Sequence, residues 1–513
     1  MPDKITSPQP EYSWVIDAGA TAGQRRCVNG QTDGEVNGLA TTHVCYYINT
    51  QGAGSLPAEL RTQTMPHDRL PSMLRACITA VSLVAASGAA YAAEGSECHV
   101  GSYKLTDGRI VDIAPLEGDR LRWRSFDGAV GELKPGPDGG WQSLYGWTGR
   151  PDGIDVDLGA CGAGKIRFAG SEGQRLAFDE TTADFTGRDG VTLKGRLVMP
   201  EGTGKVPVVV LVHGAERDAA LRFNFLQRLF PAAGIGVFVY DKRGTGTSGG
   251  VYTQDFDLLA DDAIAAMATA RKLAGTRAGR VGYQGASQGG WVAPLAANRA
   301  PADFVIVSFG LAVSILDEDL QQMEMELTDK GYPPEIIAKA QEIARAAGEI
   351  FASNFKGGYA EFDAVRAKYR GESWYKDVHG HITWLLLPHE EAAMRAEGPK
   401  YDWGTPFRYD PMATLTANRT AQLWVLGGRD YQAPAKETSR RLGTLIDAGK
   451  PFTLAVYPGA EHGITLFETA PDGTRVSTRF AEGYFAMMRD FIKHGSIDAA
   501  YGDAAIRRAG AGD

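Results

Sequence analysis

From about residue 179 onward, short and wholly apolar runs recur along the chain: Val206–Val212, Gly236–Tyr240, Arg280–Gln284, Phe304–Phe309, Gln422–Leu426 and Phe452–Val456. Helical patterns such as Asp257–Leu273 lie between most of them. Apolar strands without alternation are buried on both faces. Alternating with helices, they predict a mostly parallel sheet with helices on both faces. The stretch TTADFTGRDGVTLKGRLVMP (181–200) leads into this region as a hairpin turning at Arg188–Asp189–Gly190. The alternation breaks over 311–410, where DEDLQQMEMELTDK, PPEIIAKAQEIARAAGEIFA and HITWLLLPHEEAAMRAEG read as helices. Such an insertion over the C-terminal edge of the sheet is expected to act as a helical lid. The catalytic domain is then expected over 179–310 and 411–513.

Ahead of it the texture differs. Residues 94–178 hold short alternating runs such as RIVDIAPL and DRLRWRSF, separated by turns at Thr106–Asp107–Gly108 and Phe126–Asp127–Gly128. They predict a small N-terminal β domain with no evident chemistry. Residues 73–93, MLRACITAVSLVAASGAAYAA, combine Arg75, an apolar run over 76–86 and the small–x–small pattern Ala90–Tyr91–Ala92. That is the pattern of a secretory signal over 73–92, implying a periplasmic or secreted protein. The run is too short and too interrupted to span a bilayer. Its internal position suggests a start at Met65 or Met73, with 1–72 a non-native or disordered extension. The bland alternative is an Ala-rich helix of a cytosolic protein.

A chain of 513 residues suggests two or three domains. A net charge of −9 speaks against nucleic acid or an anionic membrane as the main partner. None of the five cysteines lies in a CxxC pair. Cleavage near Ala92 leaves Cys98 and Cys161, which can pair in an oxidising compartment or stay as buried thiols. The 64 glycines weaken every glycine motif, so motifs are judged by context.

Gly-x-Ser-x-Gly occurs twice, at Gly285–Ala286–Ser287–Gln288–Gly289 and at Gly246–Thr247–Ser248–Gly249–Gly250. Ser287 directly follows a strand and opens an apolar helix, as a nucleophile on a sharp turn requires. Gly285 and Gly289 keep neighbouring Cβ atoms away. Ser248 has neither feature and reads as a structural or substrate-side loop residue. Pro294 lies inside the helix after Ser287, where it removes a hydrogen bond and is expected to bend it. A serine needs a base, and the base a carboxylate. His462 follows the last core strand and Asp430 the strand before it, so the order Ser287, Asp430, His462 puts all three on loops at strand C-terminal ends. After the strand VVVLVH, Gly214 permits close backbone approach. The amides of Ala215 and Gln288 are candidate oxyanion donors, and His213 is expected to brace the loop.

HGA at 213–215, YDKRGTGTSGG at 240–250, GASQGGWVAP at 285–294, GGRD at 427–430 and EHG at 461–463 together resemble the α/β-hydrolase family. They look like its bacterial branch near prolyl oligopeptidases and serine aminopeptidases, over about 180–513. The resemblance implies Ser287 as nucleophile, His462 as general base and Asp430 as its orienter, acting through an acyl-enzyme on esters, amides or short peptides. It implies no cofactor and no metal. No counterpart of a β-propeller is present, because residues 94–178 are too few and show no blade repeat.

Asp241 and Arg243 are expected to make loop-fixing ion pairs. His379, His381 and His389 lack the carboxylate spacing of a metal site. Asp317, Glu318 and Asp319, with Glu324 and Glu326, could hold a substrate's amino group, but a solvated helix start is the simpler expectation. The leading function is hydrolysis of a small carboxylic ester. The alternative is an aminopeptidase or amidase with the same triad, and a non-catalytic binding protein is a third reading. The partner expected is a small molecule or short peptide, with no nucleic acid and no membrane span; the oligomeric state is open.

Overall fold

The computed structural model describes residues 95–136, 139–498 and 500–509. The extension over 1–72 and the signal over 73–92 lie outside the described residues. Strands within 101–175 form an eight-stranded antiparallel sheet. One face of that sheet buries Tyr103, Val111, Leu121, Trp123 and Phe168 in a core of its own. Cys98 and Cys161 are disulfide-bonded, 63 residues apart in sequence.

The second sheet has nine strands. They are β1 (Phe178–Thr186), β2 (Thr192–Pro200), β3 (Val206–Val212), β4 (Gly236–Tyr240), β5 (Ala278–Ala286), β6 (Val305–Ser308), β7 (Gln422–Gly427), β8 (Phe452–Tyr457) and β9 (Ala505–Arg508). In space the order is β1-β2-β4-β3-β5-β6-β7-β8-β9. The run from β4 to β8 is parallel. β1 with β2, β2 with β4, and β8 with β9 pair antiparallel, so the sheet is mixed. The edge strand β9 was not evident in the sequence. Its four residues, AIRR, are mostly exposed and carry no apolar run.

The main helices are α1 (Leu226–Ala232), α2 (Phe256–Ala274), α3 (Gly289–Arg299), α4 (Ile315–Asp329), α5 (Pro334–Ala352), α6 (Tyr359–Tyr369), α7 (Ala435–Asp447) and α8 (Tyr484–His494). Helix α3 runs through Pro294. Successive strand residues face opposite sides. Val208, Val210, Tyr283 and Val305 pack with α2, α3 and α7, whereas Val209, Leu211, Ile306 and Leu423 pack with α1 and α8. The apolar runs thus reflect a sheet covered twice. Between β6 and β7 the helical insertion shares the first of these cores, through Met323, Leu327, Ile343, Ile350 and Phe362.

A two-stranded hairpin, Thr465–Thr469 and Arg475–Phe480, follows the loop after β8. The β domain docks on it. The Trp147 amide donates to Ser477 O at 3.0 Å, the Phe480 amide to Gly128 O at 2.9 Å, and Arg479 to Asp127 O at 2.8 Å. A Cβ at Gly146 (φ +51°) would collide with the Thr478 backbone, so this seam admits only glycine there. On the other side Arg228 donates to the fully buried Asp112 at 2.6 Å, and the Arg124 guanidinium lies 4.2 Å from the Phe225 ring centre.

The disulfide closes a long loop in the unfolded chain. A Cys98→Ser, Cys161→Ser variant is expected to lose about 2–4 kcal/mol of stability in urea. The wild type under reductant should behave alike. Equal midpoints with and without reductant would mean that the thiols are unpaired.

Candidate active site

β5 ends at Ala286 and α3 starts at Gly289, leaving Ser287 to make the turn. Its φ of +50° is left-handed, a conformation that costs a residue with a β-carbon about 1–3 kcal/mol. The surroundings hold it there. The Ser287 amide donates to Ser308 O at 3.0 Å, and Ser287 O accepts from the Gly290 amide at 2.7 Å. A Cβ on Gly285 would strike the Gly289 carbonyl, one on Gly289 the Val212 carbonyl, and one on Gly290 would sit 2.8 Å from Val307. Without these glycines the turn could not close.

Asp430 follows β7 and is wholly buried, and His462 follows β8 at 8 % exposure. The His462 Nδ1 donates to Asp430 Oδ2 at 2.9 Å, and the same carboxylate accepts from the Ala433 amide at 2.8 Å. With Nδ1 facing the carboxylate, Nε2 lies on the opposite side of the ring. The Phe309 ring packs edge-on to His462 at 4.8 Å. Because Ser308 accepts from Ser287, the Ser287 turn and the imidazole are neighbours through Ser308–Phe309.

The loop after β3 is tightly held. His213 Nδ1 donates to Glu216 at 3.0 Å, and its Nε2 accepts from the Lys242 amide at 3.3 Å. His213 is therefore doubly engaged in bracing. Lys242 Nζ donates to Gly214 O at 2.5 Å, and Tyr252 Oη to Ala215 O at 2.5 Å. Burial pulls the Lys242 ammonium down to about 8, against the pull of Glu216. The amides of Ala215 and Gln288 donate no hydrogen bond among the described residues. Ser248 is elsewhere engaged, donating to Asp241 O at 2.6 Å and accepting from the Lys194 amide at 2.9 Å. Arg243 pairs with Asp262 at 2.7 Å. Asp241 departs from expectation: instead of an ion pair it accepts from the Leu221 and Thr247 amides at 3.0 and 2.9 Å.

Residues 189–384 match the model of the X-Pro dipeptidyl-peptidase (S15 family), an α/β-hydrolase family. That match supports an α/β-hydrolase family for this part of the chain. The match contains Ser287, while Asp430 and His462 lie beyond it. No curated protein matches the chain. Solved structures that are similar include a hypothetical protein from Pseudomonas aeruginosa, 17% identical over 61% of this chain and 93% of that one, with a TM-score of 0.35. A Pyrococcus furiosus esterase is 16% identical over 56% of this chain and 84% of its own, with a TM-score of 0.35. A Pyrococcus horikoshii acylaminoacyl peptidase is 16% identical over 69% of this chain and 52% of its own, with a TM-score of 0.34.

The acidic start of α4 is only partly solvated, which departs from the sequence expectation: Asp317 is half-exposed, but its two neighbours are buried. Glu318 and Asp319 are 5 % and 1 % exposed. Asp319 accepts from the Ile382 and Thr383 amides at 2.7 and 3.1 Å and from the Thr383 hydroxyl at 2.6 Å. Burial still outweighs those bonds and lifts its carboxyl to about 6. Glu318 lies 3.4 Å from His381 Nδ1. Burial, then the charges of Asp319 and Asp430, holds the Glu318 carboxyl well above the usual range. Burial, then His462, drives the His381 imidazole down to about 4. The insertion thus sets an acid near Asp430 and an imidazole near His462, a placement no local spacing could have announced.

The far end of α4 is tied to the same loops. Asp329 Oδ2 accepts from Arg429 at 2.7 Å, Tyr431 at 2.5 Å and Arg475 at 3.1 Å. Arg475 also covers the Tyr431 ring at 3.6 Å and donates to Arg429 O at 2.6 Å. One carboxylate of the insertion thereby gathers the Asp430 loop and the hairpin that follows His462.

The sign of the His381 shift fixes a pH dependence. Between about pH 4 and 6.5 the unfolded chain binds the His381 proton and the folded chain does not, so stability falls as pH drops through that window. From pH 7 to 5 the wild type should lose about 2 kcal/mol more than His381→Gln in urea unfolding. Parallel pH profiles for the two proteins would disprove the assignment.

Proposed function

We propose that this α/β-hydrolase is a serine hydrolase cleaving a small carboxylic ester through an acyl-enzyme on Ser287. The observation that carries the reading is the buried His462–Asp430 hydrogen bond at the edge where Ser287 is held left-handed. His462 Nε2 takes the proton of Ser287 Oγ as that oxygen attacks the substrate carbonyl. The carbonyl oxygen becomes an oxyanion facing the amides of Ala215 and Gln288. Collapse expels the alcohol, which receives the proton from His462. Water, deprotonated by the same nitrogen, then attacks the acyl-enzyme and frees the acid. Asp430 keeps the imidazole in the Nδ1–H tautomer and stabilises its charged form. His213, Gly214, Gly285 and Gly289 support the two loops. The insertion is read as the lid, because its Asp329 binds Arg429 next to Asp430 and its Glu318 and His381 feel the charges of Asp430 and His462.

A second reading is an aminopeptidase or amidase with the same triad. Glu318 favours it: a carboxyl buried near Asp430 with only a 3.4 Å contact to His381 would meet a substrate's amino group. We place the protein in the periplasm or outside the cell. The Cys98–Cys161 disulfide supports that compartment, since such bonds persist where thiols are oxidised.

The test uses short-chain p-nitrophenyl esters and aminoacyl p-nitroanilides. Ser287→Ala should reduce ester turnover by at least about 10³-fold with the fold retained. Turnover of anilides alone would make the peptidase reading the right one. A folded wild type that hydrolyses neither and takes up no fluorophosphonate would be the binding protein.

A further inference from the structure

Two residues after Ala215, Arg217 stands at the rim of the site. Its guanidinium lies 4.2 Å from the ring centre of Tyr252 and 4.6 Å from that of Trp403. The two rings meet edge to face at 5.7 Å. They come from different elements: Tyr252 follows the loop after β4, and Trp403 closes the insertion. The elements are clasped together. Trp403 O accepts from the Thr253 hydroxyl and the Gln254 amide, both at 2.8 Å, and Thr405 donates to Gln254 at 2.8 Å. Gln254 in turn donates to Tyr252 Oη at 2.9 Å, and that hydroxyl holds Ala215 O. The cradle is thus rigid and bonded to the oxyanion loop itself.

Arg217 is exposed, yet no ion pair joins it to a carboxylate among the described residues. The neighbouring Glu216 is taken up by His213 and the Gly214 amide. A guanidinium seated in the corner between two perpendicular rings is held in place by them, and because Arg217 is exposed its outward N–H donors can meet a planar anion with the stem already ordered. Such a fork binds a carboxylate through two parallel hydrogen bonds. In a chain of net charge −9 a standing cation at the substrate rim is a selective feature, because the general field repels anions.

We propose that Arg217 determines specificity by receiving an ionised carboxylate of the substrate, so that the preferred substrates are small esters bearing a second, free acid group. This rests on the ester-hydrolase reading of Ser287. Arg217 touches the substrate away from the reacting carbonyl and takes no part in proton transfer.

The experiment compares charged and neutral esters of equal length by pH-stat. Monomethyl adipate and 6-acetoxyhexanoate carry the anion on the acyl and alcohol side respectively; methyl hexanoate and hexyl acetate are their neutral partners. The wild type should prefer an anionic ester in kcat/KM, and the preference should shrink as salt rises. Arg217→Gln should lower kcat/KM for that anion by about 10- to 100-fold and leave the neutral esters within about twofold. Arg217→Lys, which keeps the charge but not the fork, should fall between.

Equal losses on charged and neutral esters would make Arg217 a clasp between the oxyanion loop and the insertion, overturning the proposal. So would a wild type indifferent to the anion. If no ester turns over and Ser287 takes up no fluorophosphonate, the ester-hydrolase reading itself falls. If Ser287 is labelled and the neutral esters turn over, that reading stands and the anion preference is judged separately.

Discussion

Parallel strands cannot be joined by hairpins. Each parallel step in the β4–β8 run needs a crossover that returns the chain to the starting edge, and each crossover leaves a loop where the strand ends. The rest of the molecule follows from that constraint. The loops after β3, β5, β7 and β8 carry Ala215, Ser287, Asp430 and His462, and all leave the same edge of the sheet. Residues separated by almost 250 positions along the chain become neighbours because backbone pairing aligns their strands. Burial on both faces keeps the alignment rigid, so the loops differ in conformation while their roots do not.

What the sequence disclosed and what it hid divide along the same line. The apolar runs that became β3 to β8 were legible because burial on both faces leaves no polar position in them. Asp430 and His462 were legible as strand-end residues in a motif order. β9 and the hairpin at 465–480 were not, since their residues are partly exposed and mix charge with apolar side chains. Glu318 was misread for a physical reason. A carboxylate in the first turn of a helix is favourable near the helix dipole, and nothing local reveals that another element covers it. Arg217, Tyr252 and Trp403 are spread over nearly 190 positions, so only the closed fold could assemble them.

The site also holds arrangements that cost stability. Ser287 holds a left-handed backbone. Glu318 holds a buried carboxyl beside other carboxylates. Gln288 and Gln322 each bury an amide oxygen with no hydrogen-bond partner among the described residues, on the Ser287 turn and on α4. An unsatisfied buried acceptor destabilises by about 1–3 kcal/mol. Natural folds keep such groups rare and concentrate them at functional sites. Among the described residues they are spread more widely here, reaching Trp147 of the β domain, Trp374 of the insertion and Tyr457 of β8 as well as the Ser287 turn.

The small β domain finds its reason in the same geometry. His462 sits on a loop after β8, close to the sheet edge, where only the short β9 follows. A base on such a loop would have little packed around it. The hairpin at 465–480 extends that loop outward, and the β domain grips the hairpin from the far side through backbone hydrogen bonds to Ser477 and Phe480 and through the Arg479 guanidinium on Asp127 O. Inside the turn, Thr465 donates to His462 O at 3.1 Å and Ser477 donates to Glu461 at 2.6 Å, so the grip is passed to the residues flanking the imidazole. From the opposite direction Asp329 of the insertion binds Arg475 of the same hairpin. The hairpin is thus clamped between two modules that carry no catalytic group. Their common effect is to hold His462 at hydrogen-bonding distance from Asp430, the pair on which the proposed proton transfer would depend.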